Sequence, residues 1–564
     1  MTRVQTQYQL WLDDPAVDSA TKDELRSISH DAKEIEDRFY KDLEFGTGGL
    51  RGVIGAGTNR INVYTVGRAS QGLADFVRQT GTVNPSIVIA YDSRNMSPEF
   101  ALEAALVFAG NGIKAYVFEA LRPTPELSYA VRDLKATAGV VVTASHNPPE
   151  YNGYKVYGAD GGQLVPEFAE RVIELVQQAD SFDKVKRLTR EDAEAQGLLA
   201  WLGEDIDARY IAAVAAVSQN PDVIRQIRDD FRIVFTPLHG SGNMPVRRVL
   251  ETVGFTQVRV VAEQEQPDSQ FSTVKSPNPE EREAFTLAIA QAKAWDADII
   301  VGTDPDADRM GAVVKDPSGD YFVLTGNQSG AIIVNYLLSS MKERGALPDN
   351  GVIIKTIVTS EMGAVIARHY GVDTLDTLTG FKYIGEKMTA FEKTGERTFL
   401  FGYEESYGYL AGSYARDKDA VIAAMLICEA AAYYKQQGKT LYDVLQELYA
   451  SFGYFLEKLE SRTLKGKDGV EQIGRMMEAW RTHPPEAIHG INVQGVEDYA
   501  AGINGLPKEN VLKFKLEDGS WFCLRPSGTE PKIKFYFAVQ GTSGAQASER
   551  LNGIVQDVMS RIDG

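Results

Sequence analysis

Five short segments of this 564-residue chain combine residue types that could do chemistry. Thr143-Ala144-Ser145-His146-Asn147-Pro148 sets a hydroxyl beside an imidazole and an amide. It follows the apolar run Val140 to Val142, so it belongs to a loop at the C-terminal end of a strand, where open α/β sheets bind ligands. It is not Gly-x-Ser-x-Gly, which disfavours a hydrolase elbow. By spacing alone an ordinary capping loop explains it equally well. Downstream, Asn152-Gly153-Tyr154-Lys155 could return Lys155 towards Ser145 through a turn or hairpin; a solvated surface lysine is the plainer alternative.

Gly302-Thr303-Asp304-Pro305-Asp306-Ala307-Asp308-Arg309 alternates three carboxylates directly after the strand-like run ending at Val301. Alternate residues of an extended or tightly turned loop can face one side. There they would repel one another unless a cation stood between them. Oxygen ligands select Mg²⁺ or Ca²⁺ over soft metals. The EF-hand pattern does not fit, because the sixth-position Gly and twelfth-position Glu are missing. Three side chains would leave open positions on Mg²⁺, as phosphoryl transfer requires. Arg309 could balance charge or bind phosphate. The competing reading is a solvated acidic turn.

Three further segments are weaker alone. Gly402-Tyr403-Glu404-Glu405-Ser406-Tyr407-Gly408 could present carboxylates and a hydroxyl to sugar hydroxyls, or be a turn with exposed acids. Arg416-Asp417-Lys418-Asp419 downstream reads as a helix cap within a charge run, with Asp417 as the cap. Arg525-Pro526-Ser527-Gly528-Thr529-Glu530-Pro531 has the donors of a phosphate cradle, or of a plain turn. Phe45-Gly46-Thr47-Gly48-Gly49-Leu50-Arg51-Gly52 could approach an anion but lacks the Lys-Ser/Thr ending of a nucleotide P-loop.

These segments must be held by elements. Short apolar runs at Ile87–Ala90, Val140–Val142, Ile233–Phe235, Ile299–Val301, Ile353–Ile357 and Phe399–Phe401 read as buried strands, each followed by a loop and helical periodicity. Ser97-Pro98-Glu99 reads as an N-cap, a first-turn proline and an acidic first turn. The last hundred or so residues read as α+β. The expected fold is three similar α/β domains plus a C-terminal α+β domain around a central cleft. The expected boundaries are 1–205, 206–322, 323–448 and 449–564.

Composition narrows the function. The chain is 43% hydrophobic and 24% charged, with a net charge of −19. Such a charge repels nucleic acid and anionic membrane, so neither is an expected partner. It also repels a phosphorylated substrate, so any site for one must concentrate positive charge locally. The two cysteines, Cys428 and Cys523, lie in apolar runs and permit no disulfide framework. No signal-peptide core follows Met1, and no apolar run approaches membrane-spanning length, so the expected location is the cytoplasm.

In this order, the Ser145, Asp304, Glu404 and Arg525 loops resemble the four signature motifs of the α-D-phosphohexomutase superfamily. The resemblance runs from Gly46 to Pro531, and Thr143-Ala144-Ser145 with Leu378-Thr379-Gly380-Phe381-Lys382 is most similar to phosphoglucomutases. It implies a phosphorylated Ser145. It implies one Mg²⁺ per chain held by Asp304, Asp306, Asp308 and a Ser145 phosphate oxygen. It makes Lys155 a general acid/base and Arg309 a catalytic and substrate-contacting residue. Substrate contacts follow from Arg51, His146, Asp308, Thr379, Glu404, Ser406 and Lys418, with Arg525, Ser527, Gly528 and Thr529 gripping the phosphate at rest. Burial of Lys155 is expected to depress its pKa.

The implied reaction interconverts α-D-glucose 1-phosphate and glucose 6-phosphate through a glucose 1,6-bisphosphate that also serves as activator. The alternatives are a phosphopentomutase, a phosphomannomutase, a sugar phosphatase or a non-catalytic binder of sugar phosphates. The partner is a small phosphosugar, and the chain is a monomer or homodimer. Tyr403 and Ala307 depart from the common pattern, which has Gly at both positions; both departures resemble a branch that includes phosphopentomutases and sugar-bisphosphate synthases.

Overall fold

A computed structural model describes residues 2–46, 48–464, 466–527 and 532–563. Four sheets follow one another along the chain. The first orders its strands as Gly49–Val53, Tyr151–Gly158, Ala138–Val142, Ser86–Tyr91, Lys114–Phe118 and Leu199–Leu202. The second orders Tyr321–Val323, Met310–Lys315, Ile299–Thr303, Arg232–Thr236 and Gln257–Val260. The third orders Asp373–Thr377, Gly351–Thr356, Thr398–Glu404 and Gly408–Ala411. The fourth is wholly antiparallel, with Lys532–Gly541 between Tyr454–Thr463 and Trp521–Pro526.

The first three sheets share one device. Parallel strands with helical crossovers end in a strand that turns straight back antiparallel. Ala138–Val142 turns into Tyr151–Gly158, Ile299–Thr303 into Met310–Lys315, and Thr398–Glu404 into Gly408–Ala411. This corrects the expectation that every apolar run leads into a helix. After these three, the chain carries a second short run buried on both faces, such as Met310 to Val314, which fits beside a strand and not in an amphipathic helix. The Ser145, Asp304 and Glu404 loops are these three turns. The Arg525 loop joins Trp521–Pro526 to Lys532–Gly541 in the fourth sheet.

Two cap assignments also change. Met96, in the left-handed region at φ 64°, precedes the helix Ser97–Gly110, and Ser97 is already helical. Its hydroxyl instead donates to Asp92 at 2.9 Å. The helix Ala420–Gln436 is capped by Asp419, which accepts from the amides of Val421 and Ile422. Asp417 accepts from the Tyr157 hydroxyl and pairs with Lys418. The spacing places both aspartates beside the helix start, and only the geometry separates cap from site residue.

The largest core spans the second and third sheets, with Ala420–Gln436 buried between them. Cys428 and Cys523 are both buried and free, as expected.

Behind the Ser145 loop the backbone approaches too closely for a side chain. A Cβ at Gly153 would stand 2.4 Å from the Thr143 carbonyl oxygen and 2.8 Å from that of Leu50. Overpacking of this kind costs about 1–3 kcal/mol. Gly153→Ala should lower the urea midpoint of the transition that unfolds the first sheet. An unchanged midpoint would contradict the close approach.

Candidate active site

The three turns meet. The Thr124 amide donates to the Asp306 carbonyl and its hydroxyl to Asp306 Oδ2 at 2.8 Å, joining the first unit to the second. The Met310 amide donates to the Tyr407 carbonyl, joining the second to the third. Each turn also holds one non-glycine residue in the left-handed region: Ser145 at φ 52°, Ala307 at φ 48° and Tyr407 at φ 64°. Such conformations cost energy and persist only where the surroundings enforce them.

For Ser145 the enforcing group is Arg94. Its guanidinium, fully buried, donates to the carbonyls of Ser145, Asn147, Pro148 and Tyr151. Asp92 pairs with Arg94 at 3.5 Å and accepts from the Thr143 hydroxyl at 2.6 Å. With its loop so held, the Ser145 hydroxyl donates to Asp304 Oδ2 at 2.7 Å and lies 3.3 Å from His146 Nδ1. Burial, with Arg309 and Arg51 close by, holds the imidazole well below the usual histidine range, so it is neutral.

Asp304, Asp306 and Asp308 are buried, each offering an oxygen within 4.8 Å of the others. Opposite them stand three cations. Lys155 Nζ lies 2.7 Å from Asp306 and 3.4 Å from Asp308, and Lys418 Nζ 3.1 Å from Asp308. Arg309 reaches Asp308 at 3.8 Å and bonds Glu280 at 2.6 Å. Burial and its two acidic neighbours push Asp304 well above the carboxylate range. Burial would raise Asp306 as well, but Lys155 and Thr124 hold it low.

Lys155 corrects an expectation. Burial does depress an amine, but here Asp306 and Asp308 outweigh it, and the pKa is raised. Lys155 is therefore charged in this arrangement.

The carboxylate group suits a metal ion. Asp306 Oδ1 and Asp308 Oδ1 are buried without a hydrogen-bond partner, which is costly for an anion unless a cation takes them. The donors are all hard oxygens, so a hard divalent ion fits.

Beside this group opens a cleft of about 580 Å³. His146, Arg51, Arg309, Thr379, Glu404, Ser406, Lys418 and Arg525 all line it. Arg51 donates to Asn147 Oδ1 at 3.2 Å. Glu404 accepts from the Gly380 amide at 2.9 Å, and Thr379 Oγ1 is buried without a partner. Arg525 pairs with Glu509 at 3.1 Å, and the Ser527 amide donates to the Lys532 carbonyl. Ser145, Lys155 and the three aspartates do not line it, but Ser145 meets its lining at His146 and Asp308 meets it at Arg309 and Lys418. Gly528 and Thr529 lie outside the described residues, as does Thr47.

Sequence reasoning missed Arg94, Thr124, Glu280 and Lys534. Asp92-Ser93-Arg94 follows a strand C-terminus, so the rule that drew attention to Ser145 applies to it too. Lys534 pairs across the strands with Arg525 and lines the same cleft, and burial lowers its pKa. No spacing signal marks Glu280.

Four matches to family profiles cover the chain. They are the phosphoglucomutase/phosphomannomutase α/β/α domains I, II and III at residues 42–183, 208–319 and 325–452, and the C-terminal domain at 468–554. The chain belongs to the phosphoglucomutase/phosphomannomutase family. Among relatives in that family, a phosphoglucomutase of Staphylococcus haemolyticus is 38% identical over 91% of this chain and 93% of its own length. One from Staphylococcus aureus is 36% identical over 97% and 98%. The fold is shared with a putative phosphomannomutase of Thermus thermophilus, with a TM-score of 0.69, 23% identity and coverage of 93% and 100%. It is also shared with the open form of Paramecium parafusin, a phosphoglucomutase, with a TM-score of 0.71, 17% identity and coverage of 93% and 95%. Membership makes the chain an isomerase of the phosphomutase class. Among the described residues no helix is long and apolar enough to cross a membrane.

The two departures from the family pattern find a structural account. Tyr403 is wholly buried, and Gly330 and Gly363 make room for its ring and hydroxyl. Tyr403 is not among the residues that line the cleft. Ala307 occupies a left-handed position, where a residue without Cβ is easiest to place.

Arg94→Lys removes the fork that holds four carbonyls at once. It should lower kcat at least about tenfold with circular dichroism unchanged. Full kcat in this variant would show that the Ser145 loop holds itself.

Proposed function

We propose that the chain interconverts α-D-glucose 1-phosphate and glucose 6-phosphate, using Ser145 as phosphoryl carrier. The observation that supports this most is the Ser145 hydroxyl on Asp304, between the acidic group and a cleft edged with cations. On this reading the phosphorylated form is active. The Oγ–P bond of phosphoserine breaks as a P–O bond to the sugar hydroxyl forms, giving glucose 1,6-bisphosphate. The bisphosphate turns over, and its other phosphoryl group returns to Ser145. Free glucose 1,6-bisphosphate acts as activator by charging unphosphorylated enzyme.

Asp304, Asp306 and Asp308, with a phosphate oxygen on Ser145, would hold one Mg²⁺, which supplies charge neutralisation at the transferring group. The chain's own residues do the rest. Arg309 and Lys418 balance negative charge; Lys155, charged at rest, gives a proton to Ser145 Oγ as its bond to phosphorus breaks and takes the proton of the sugar hydroxyl in exchange. Glu404 and Ser406 hold sugar hydroxyls, with Thr379, His146, Asp308 and Arg51 as further contacts. Arg525, Ser527, Gly528 and Thr529 grip the phosphate at rest. The limits proposed for the four domains are 1–205, 206–322, 323–448 and 449–564.

Purified enzyme with Mg²⁺ and a trace of glucose 1,6-bisphosphate should interconvert the two glucose phosphates. Its kcat/KM should exceed that for mannose, ribose or deoxyribose phosphates. A higher value for another sugar moves the substrate within the family, and no interconversion of any overturns the reading. Lys155→Met should cost about 10²–10⁴-fold in kcat with little change in KM. Intact mass should show one phosphate on the wild type and none on Ser145→Ala.

A further inference from the structure

A second cavity, of about 560 Å³, lies where the third sheet meets the C-terminal sheet. It shares no lining residue with the substrate cleft. Ile357, Val358, Leu378, Trp521, Cys523 and Tyr536 pack the junction between the two units. The volume is that of a small-molecule site.

Its charges are not matched. Four cations line it: Lys355 and Arg368 from the third unit, Lys513 and Lys515 from the C-terminal sheet. Three carboxylates face them. Glu361 and Asp376 lie 3.1 and 3.0 Å from Lys355 Nζ, and Glu497 lies 2.6 Å from Lys515 Nζ. Lys513, nine-tenths buried, donates to the Ile357 carbonyl at 2.6 Å, and its nearest carboxylate is 4.0 Å away. The Arg368 guanidinium has no hydrogen-bond or ion-pair partner among the described residues. The Trp521 indole N–H, on a side chain only 4% exposed, is buried and finds no acceptor. Lys513 also lies 4.1 Å from the centre of the Trp521 ring, and the Thr374 hydroxyl in the lining is buried without a partner. Each of these unmet groups can donate a hydrogen bond, and two of them are charged. In a chain of net charge −19 such a surplus is a local exception.

We propose that this cavity binds a small phosphate-bearing anion across the junction of the third and C-terminal units. A phosphate oxygen accepts from several N–H donors at once, and charged donors make the strongest such bonds. The site is connected to the cleft. Lys513 holds the Ile357 carbonyl, and the next residue, Val358, lines the substrate cleft. The flanking Thr356 and Thr359 hydroxyls donate to Glu405 in the sugar loop at 3.3 and 3.2 Å. An anion drawing on Lys513 would therefore act on the loop beside the substrate.

The full chain, titrated calorimetrically with inorganic pyrophosphate in metal-free buffer, should show two classes of site. Arg368→Ala with Lys515→Ala, both at exposed positions, should weaken one class by roughly tenfold or more. Mutase activity without pyrophosphate should be unchanged in this variant. Arg525→Ala should weaken the other class and leave the first. Trp521→Phe, which removes only the N–H donor, should weaken the same class as the double variant. A single class abolished by Arg525→Ala overturns the proposal, as does a second class untouched by the double variant. Failure of the wild-type mutase assay would bear on the function reading alone.

Discussion

Three buried carboxylates within 4.8 Å of one another are the constraint to which the rest of the structure answers. Unpaired, such a group would not stay charged in a protein interior. It persists because Lys155, Lys418 and Arg309 arrive from three directions and because two of its oxygens are left for a cation. Each cation comes from a different sheet or turn. The aspartates and Arg309 share one turn, but Lys155 and Lys418 reach them only where the first and third units dock against the second, and the same docking brings Ser145 to Asp304.

The same constraint accounts for the repeated turn. A strand that doubles back antiparallel exposes a short loop at the edge of a parallel sheet, and three such loops can meet at one point. Arg94 holds the first and hydrogen bonds to Asp306 and Tyr407 hold the other two. The left-handed residues at 145, 307 and 407 mark where the chain is bent to make that meeting possible. The net charge of −19 fits the same picture. A phosphate is repelled by the chain as a whole, and in the cleft Arg51, Arg309, Lys418, Lys534 and Arg525 supply the positive charge that offsets this.

Much of this was legible in the sequence. Buried strands are short apolar runs, and loops at their C-terminal ends bind ligands, so the Ser145, Asp304 and Glu404 loops could be found without coordinates. What the runs could not say was which connection is a hairpin. Met310–Lys315 and Gly408–Ala411 are too short for periodicity to separate strand from helix. Side-chain partnerships were hidden for another reason. Asp417 and Asp419 look alike as caps until Tyr157 and Lys418 claim the first. The raised pKa of Lys155 depends on carboxylates some 150 positions away in sequence, so burial alone misjudged its sign.

The central claim is that Ser145 passes its phosphoryl group to sugar and not to water. Enzyme carrying isotopically labelled phosphate on Ser145 can be mixed with a limiting amount of glucose 6-phosphate, so that each sugar reacts once. The account predicts that the label leaves the protein and appears first in glucose 1,6-bisphosphate and then in glucose 1-phosphate. Label released as inorganic phosphate, or retained wholly on the protein, would contradict it.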